Sequence, residues 1–159
     1  MKIKKSKVNV KQAGTTALIE NIQLKFKNKN TGEVIDILPT ANLITVIGEE
    51  QVAKILSGAA SDLFRYIAIG EGTTAAQTSD TELVDEVKRA EATLSYESHG
   101  KVKLVYEFIF ESSESYNITE VGFFDSAIAG NMLNRSVFTA REVDEDTSLE
   151  VTGRITVSG

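Results

Sequence analysis

Gly70-Glu71-Gly72-Thr73-Thr74-Ala75 follows the apolar run Arg65-Tyr66-Ile67-Ala68-Ile69, with Glu91 further along the chain. Glycines at this spacing let a backbone approach a pyrophosphate, and an acid about twenty residues later would take a ribose hydroxyl. The surroundings deny that chemistry. A dinucleotide turn needs a long apolar helix opening at the second glycine and a parallel strand ending at the acid. Here a polar loop runs on to Asp80, and Glu91 precedes an amphipathic antiparallel strand. No lysine follows the glycines as a phosphate loop requires. Asp144-Glu145-Asp146 gathers carboxylates of the kind calcium takes, but without alternating ligands and a fixed glycine it reads as a solvated turn. His99, between Ser98 and Gly100, falls at a hairpin tip with no acid or nucleophile in sequence reach. A pair of acids could serve glycoside hydrolysis, yet nothing singles one out. The expectation is a chain without catalytic, cofactor-binding or metal-binding residues, and not an enzyme.

Composition narrows the classes further. With no cysteine and one histidine among 159 residues, there is no disulfide scaffold, thiolate metal site, thiol nucleophile or multi-histidine metal site. The apolar content of 42% and charged content of 25% are those of a globular domain with a core. Charge is unevenly divided. Residues 1–40 hold eight lysines against Glu20, Glu33 and Asp36, a net of +5, while the remainder carries −11 of the total −6. The acidic body argues against nucleic acid as a partner, since phosphate contacts need a basic face. The basic leader, with Lys4, Lys5, Lys7, Val8 and Val10, is suited to an acidic neighbouring surface, including that of another copy. Its positive start lacks the apolar stretch of a signal peptide, and no run approaches a membrane span, so synthesis in the cytoplasm without membrane insertion is expected.

The pattern of the chain is mainly β. Leu18 to Phe26 alternates with Glu20 interrupting, Asn28-Lys29-Asn30-Thr31-Gly32 supplies a turn, and Val34 to Leu38 returns, so a hairpin is predicted that Pro39 ends. Asn42 is placed to cap a helix over Leu43 to Leu56, near 42–57, with Ile44, Ile47, Val52, Ile55, Leu56 and Ala59 on one face. Gly58 would close it, and Gly48 offers a break. After the strand at 65–69 comes a loop and a brief helical turn at Leu83 to Val87. A second hairpin, Ala92 to Tyr96 and Val102 to Phe110, precedes strands at Ile118 to Phe124, Met132 to Thr139 and Leu149 to Val157. These features predict an N-terminal arm and hairpin over 1–39, then an antiparallel β-sandwich or jelly-roll-like body over 40–159 with one or two short helices.

Two segments stand out. The loop Gly70 to Asp80 is long for a connection and small in its side chains, suited to lie against another chain through Gly70, Gly72 and Thr73. In Thr119-Glu120-Val121-Gly122-Phe123-Phe124-Asp125 a glycine sits inside a strand, which implies a close backbone approach. Glu120 shares its face with Gly122 and Phe124, Arg89 or Arg135 is its candidate partner, and Glu120 and Gly122 join Gly70, Gly72 and Thr73 as expected contact residues toward another chain.

These segments, with Gly48 to Gly58, Asp80-Thr81-Glu82-Leu83, Val87-Lys88-Arg89 and Gly130-Asn131-Met132-Leu133, resemble the N-terminal domain of bacteriophage tail-fibre (tail-collar) proteins and related small virion proteins. The ordered match spans about residues 42 to 157. The resemblance implies a non-enzymatic structural module, located in the virion, that assembles as a symmetric oligomer. Its implied partners are copies of itself and neighbouring tail, baseplate or capsid proteins. A fibre would continue into a shaft and tip, whereas this sequence ends at Gly159 and carries extra residues in front, so the expectation is a self-standing particle component. The alternative is a carbohydrate- or receptor-binding sandwich of the adsorption apparatus.

Overall fold

A computed structural model describes residues 19–156. Lys4, Lys5, Lys7, Val8 and Val10 lie outside the described residues. Within them, β1 (Ile19–Asn28), β2 (Val34–Thr40), β3 (Leu43–Ile44), α1 (Val46–Ser57), β4 (Tyr66–Gly70), β5 (Glu86–Glu91), β6 (Thr93–Tyr96), β7 (Lys101–Ile109), β8 (Tyr116–Phe124), β9 (Met132–Val143) and β10 (Thr147–Thr156) follow in order. They form two five-stranded antiparallel sheets, ordered β2-β1-β10-β7-β6 and β3-β9-β8-β4-β5. The described residues form a β-sandwich with one helix.

Alternation in the strands makes the interior. Ile22, Leu24 and Phe26 of β1, Leu104 and Phe108 of β7, and Leu149 and Val151 of β10 face Ile67, Ile69, Phe123 and Leu133 of the other sheet in one continuous core. The sheets come so close at one point that the Phe123 ring occupies the space a Cβ at Gly153 would need. That contact explains the glycine in an otherwise apolar-alternating strand.

The first hairpin forms as its turn residues require. Asn28 Oδ1 accepts from the backbone N–H of Asn30 at 3.0 Å and of Thr31 at 2.9 Å, and Gly32 takes a positive φ of 72°. Pro39 does not end the hairpin; it lies within β2, opposite Gln23. β2 is an edge strand paired with β1 alone, the setting in which a sheet tolerates a proline. The hairpin joins the body, since β1 also pairs with β10 from Ile19↔Ile155 to Asn28↔Thr147. A register shift between Ile19 and Asn21 absorbs Glu20, the residue that broke the alternation.

The helix begins later than the periodicity suggests. Leu43 and Ile44 pair with Arg135 and Asn134 as β3, and Thr45, not Asn42, is the N-cap, its Oγ1 accepting from Gly48 N at 3.0 Å. Gly58 closes the helix at φ 76°. There is no break at Gly48. A side chain there would meet Leu133 O at 2.6 Å, so the glycine lets α1 lie directly on β9. Val52 and Ile55 pack on the core, while Leu56 is 82% exposed and so leaves the expected face. Leu83 to Val87 is not helical either: bends lead into β5, whose charged sequence gives no alternation to read.

Candidate functional site

The two unusual segments meet at one carboxylate. β4 ends at Gly70, which lies opposite Glu120 of β8, and Glu120 in turn lies opposite Val137 of β9. The sheet thus directs Glu120 toward the chain that leaves β4, where it is 0% exposed. Its Oε1 accepts from Gly72 N at 3.0 Å and Asp85 N at 2.8 Å. Its Oε2 accepts from Val84 N at 3.2 Å and Arg135 Nε at 2.8 Å. Four donors fill the acceptor sites of a carboxylate, so Glu120 is a fastening and has no free lone pair for proton transfer or attack.

Arg135, not Arg89, is the partner of Glu120. Its guanidinium, 1% exposed, also donates from Nη1 to Asp80 Oδ2 and from Nη2 to Thr74 O, both at 2.9 Å. Burial pulls the Arg135 pKa downward, but hydrogen bonds to Asp80 and Glu120 and the charges of both acids outweigh it and hold the guanidinium above its ordinary value. It is a fixed cation. Asp80 additionally accepts from Gln77 N at 2.9 Å, and Thr119 Oγ1 donates to Gly72 O at 2.8 Å. The loop from Gly70 to Asp80 is therefore tied at both ends and in its middle to β8 and β9.

The glycines follow from that geometry. A Cβ on Gly70 would strike Asp85 O, and one on Gly72 would strike the Glu120 carboxylate and Val84 Cβ. Only a bare backbone lets the N–H of residue 72 reach Glu120. Gly122 is buried as well, with Asn134 O 2.9 Å from where its Cβ would be. Of the expected contact residues within the described part, Gly70, Gly72 and Glu120 are buried against one another inside the chain, Gly122 is buried beside Asn134, Leu83 and Met132, and Thr73 is exposed.

Arg89 organises a second loop. It pairs with Glu86 through Nε at 2.9 Å and Nη2 at 2.6 Å, and Nη1 donates to Ser126 O and Ala129 O at 2.9 and 2.7 Å. Its guanidinium carbon lies 3.6 Å from the centre of the Phe124 ring. Asp125 accepts from Asn131 N and Asn131 Nδ2, each at 2.7 Å, closing the same loop from its other side. The result is a rigid turn that presents Ile128, 84% exposed, beside a cleft of about 580 Å³. This role for Arg89 escapes sequence reasoning, because three of its partners are backbone carbonyls or a ring. Asp125 and Asn131, six apart around Gly130, are the signal that could have revealed the loop closure.

The remaining candidates have plain placements. Glu91 lies opposite Tyr66 in an antiparallel pair, so no dinucleotide turn is formed. His99 stands at a hairpin tip with φ 59°. Asp144 caps its own turn, accepting from Asp146 N at 3.0 Å and Thr147 Oγ1 at 3.1 Å. Among the described residues no three His, Cys, Asp or Glu side chains gather as a metal site, and no helix is long and apolar enough to cross a membrane. Compared with protein-family models and with curated proteins, the chain matches none.

Proposed function

We propose that this chain is a structural protein of a tailed bacteriophage particle, assembling as a symmetric oligomer on the tail or baseplate, at a fibre attachment site or on the capsid surface. One observation carries the reading. Two of the segments that resemble the tail-collar module, the loop after β4 and the strand β8, meet at Glu120, and that buried carboxylate spends every acceptor on the backbone of Gly72, Val84 and Asp85 and on Arg135. A carboxylate used this way builds a shape. The shaped loops then offer exposed apolar side chains, Val84 on one and Ile128 on the other, of the kind that supply affinity at subunit contacts. The basic N-terminal arm complements the acidic body of a neighbour and adds register and association rate, and repetition in a symmetric particle lets weak contacts sum.

A glycan-binding role has less support, since Tyr96 is the one exposed aromatic among the described residues. The test is assembly. Light scattering of the purified protein should give a defined oligomer, and particles stripped of the protein should take it back to saturation. A protein that stays monomeric at high concentration and fails to rebind overturns the proposal.

A further inference from the structure

One end of the sandwich is not closed by the described residues. There an apolar groove of about 200 Å³ runs between α1 with its following loop and the ends of β6, β7 and β10. Val52, Leu56, Leu63, Leu94, Val102 and Ile155 line it, and no charged side chain does. Leu56 and Leu63 are 82% and 44% exposed at its rim. Such a surface calls for an apolar occupant.

The position of the chain ends identifies one. Ile155, in the groove, lies opposite Val102 on one side and opposite Ile19, the first described residue, on the other. The N-terminal segment thus enters the sheet one strand from the groove. Residues 8–18 read Val-Asn-Val-Lys-Gln-Ala-Gly-Thr-Thr-Ala-Leu, with apolar residues at both ends, no acid, and a glycine that allows a reversal. Eleven residues span at most roughly 40 Å when extended, ample to fold back over a groove that begins beside residue 19. The three residues after Thr156 include a single large apolar side chain, Val157.

We propose that residues 8–18 cover this groove in their own subunit, Leu18 entering first and Val8 and Val10 following. Lys2, Lys4, Lys5 and Lys7 then project from that end of the sandwich. Coverage closes the core locally and fixes where the basic tip leaves the body.

The test uses the full-length protein in isolation, so its outcome is separate from that of the assembly reading. Replacing Val8, Val10 and Leu18 together by serine should raise the fluorescence of an added anilinonaphthalene sulfonate dye severalfold, with unchanged far-ultraviolet circular dichroism. In a Leu56→Ser, Leu63→Ser background the same triple change should add little. An unchanged signal, or an equal rise in both backgrounds, overturns the proposal. Because the chain has no cysteine, the pair Leu18→Cys and Leu63→Cys gives a second measurement that leaves the other arm residues intact. Mild oxidation should yield a cross-linked monomer; a cross-linked dimer, which would place the arm in a neighbour's groove, or no cross-link overturns it.

Discussion

Arg135 Nε lies 2.8 Å from Glu120 Oε2, and both side chains are buried between β8, β9 and the loop leaving β4. The pair binds residues 70–85 to the sandwich through Gly72, Thr74, Asp80, Val84 and Asp85. Removing one charge of a buried pair leaves the other unsatisfied, at a cost of about 3–5 kcal/mol. Glu120→Gln keeps the shape but turns two acceptor sites into donors facing N–H groups. Asp80 still neutralises part of Arg135, so a loss of about 3 kcal/mol is expected by urea denaturation. Amide exchange should quicken first at Gly72, Val84 and Asp85. A Glu120→Gln protein with unchanged stability and exchange would show that the carboxylate is not the fastening.

Gly153 and Phe123 set the spacing between the sheets, because the ring sits where a Cβ at position 153 would project. Gly153→Ala should destabilise by about 1–3 kcal/mol, the usual cost of overpacking a filled core. Phe123→Leu, which empties part of that space, should be destabilising alone yet should recover part of the loss when combined with Gly153→Ala. Thermal unfolding of the two single variants and the double variant measures that coupling. Strict additivity would mean that the ring is not what the alanine meets.

Strand alternation made most of the sandwich legible. Leu104, Phe108, Leu149 and Val151 are buried where period-two reading puts them. The failures have physical causes. Leu43 and Ile44 fit a helical stripe, but pairing with β9 draws them into a sheet and leaves Thr45 to cap the helix. β5 reads Glu-Val-Lys-Arg-Ala-Glu, an edge strand whose polar groups serve neighbours and not the core, so no periodicity marks it. At the site, Gly122 signalled a close approach and Arg135 was one of two named partners for Glu120. The direction of the loop glycines was not legible. Their small size suits an external contact and an internal carboxylate equally well, and tertiary structure alone brings Glu120 within reach of Gly72.

Acid should act through two solvent-accessible sets of ion pairs, Lys25 and Lys27 with Glu150 on the first sheet and Arg141 of β9 with Asp36 of β2 between the sheets. Glu150 is held below the usual carboxylate range first by its hydrogen bond from Lys27, and Asp36 likewise by its hydrogen bond from Arg141. A lowered folded pKa means the unfolded chain binds more protons in acid. Stability from these groups is complete above their unfolded values, about 4.3 for Glu150 and about 3.9 for Asp36, and falls as pH drops through the folded ones. Lys27 is raised chiefly by the same Glu150 bond, so its contribution is complete below about 10.4 and falls as pH rises beyond it. Glu150→Gln should flatten both limbs of the stability profile. Denaturation midpoints measured from pH 3 to 6 and from 9 to 11.5, roughly the titration ranges of acid and lysine, would expose the error if the variant kept both slopes.

Lys4, Lys5 and Lys7 are three of the five lysines before residue 19, and the body that follows is strongly acidic. If the arm meets a neighbouring subunit's acidic surface, reversing these three to glutamate turns attraction into repulsion at the rim of a contact. The effect should fall on association rate and its salt dependence more than on the fold. The expected outcome is an unchanged thermal midpoint, because the three substitutions remove no apolar side chain. Rebinding to stripped particles at low salt should slow by about tenfold or more, with the gap to the unmodified protein narrowing as salt is raised. Surface plasmon resonance on immobilised particles measures both. Equal rates for the two proteins at low salt would remove the arm from the assembly mechanism, whatever the oligomeric state of the body.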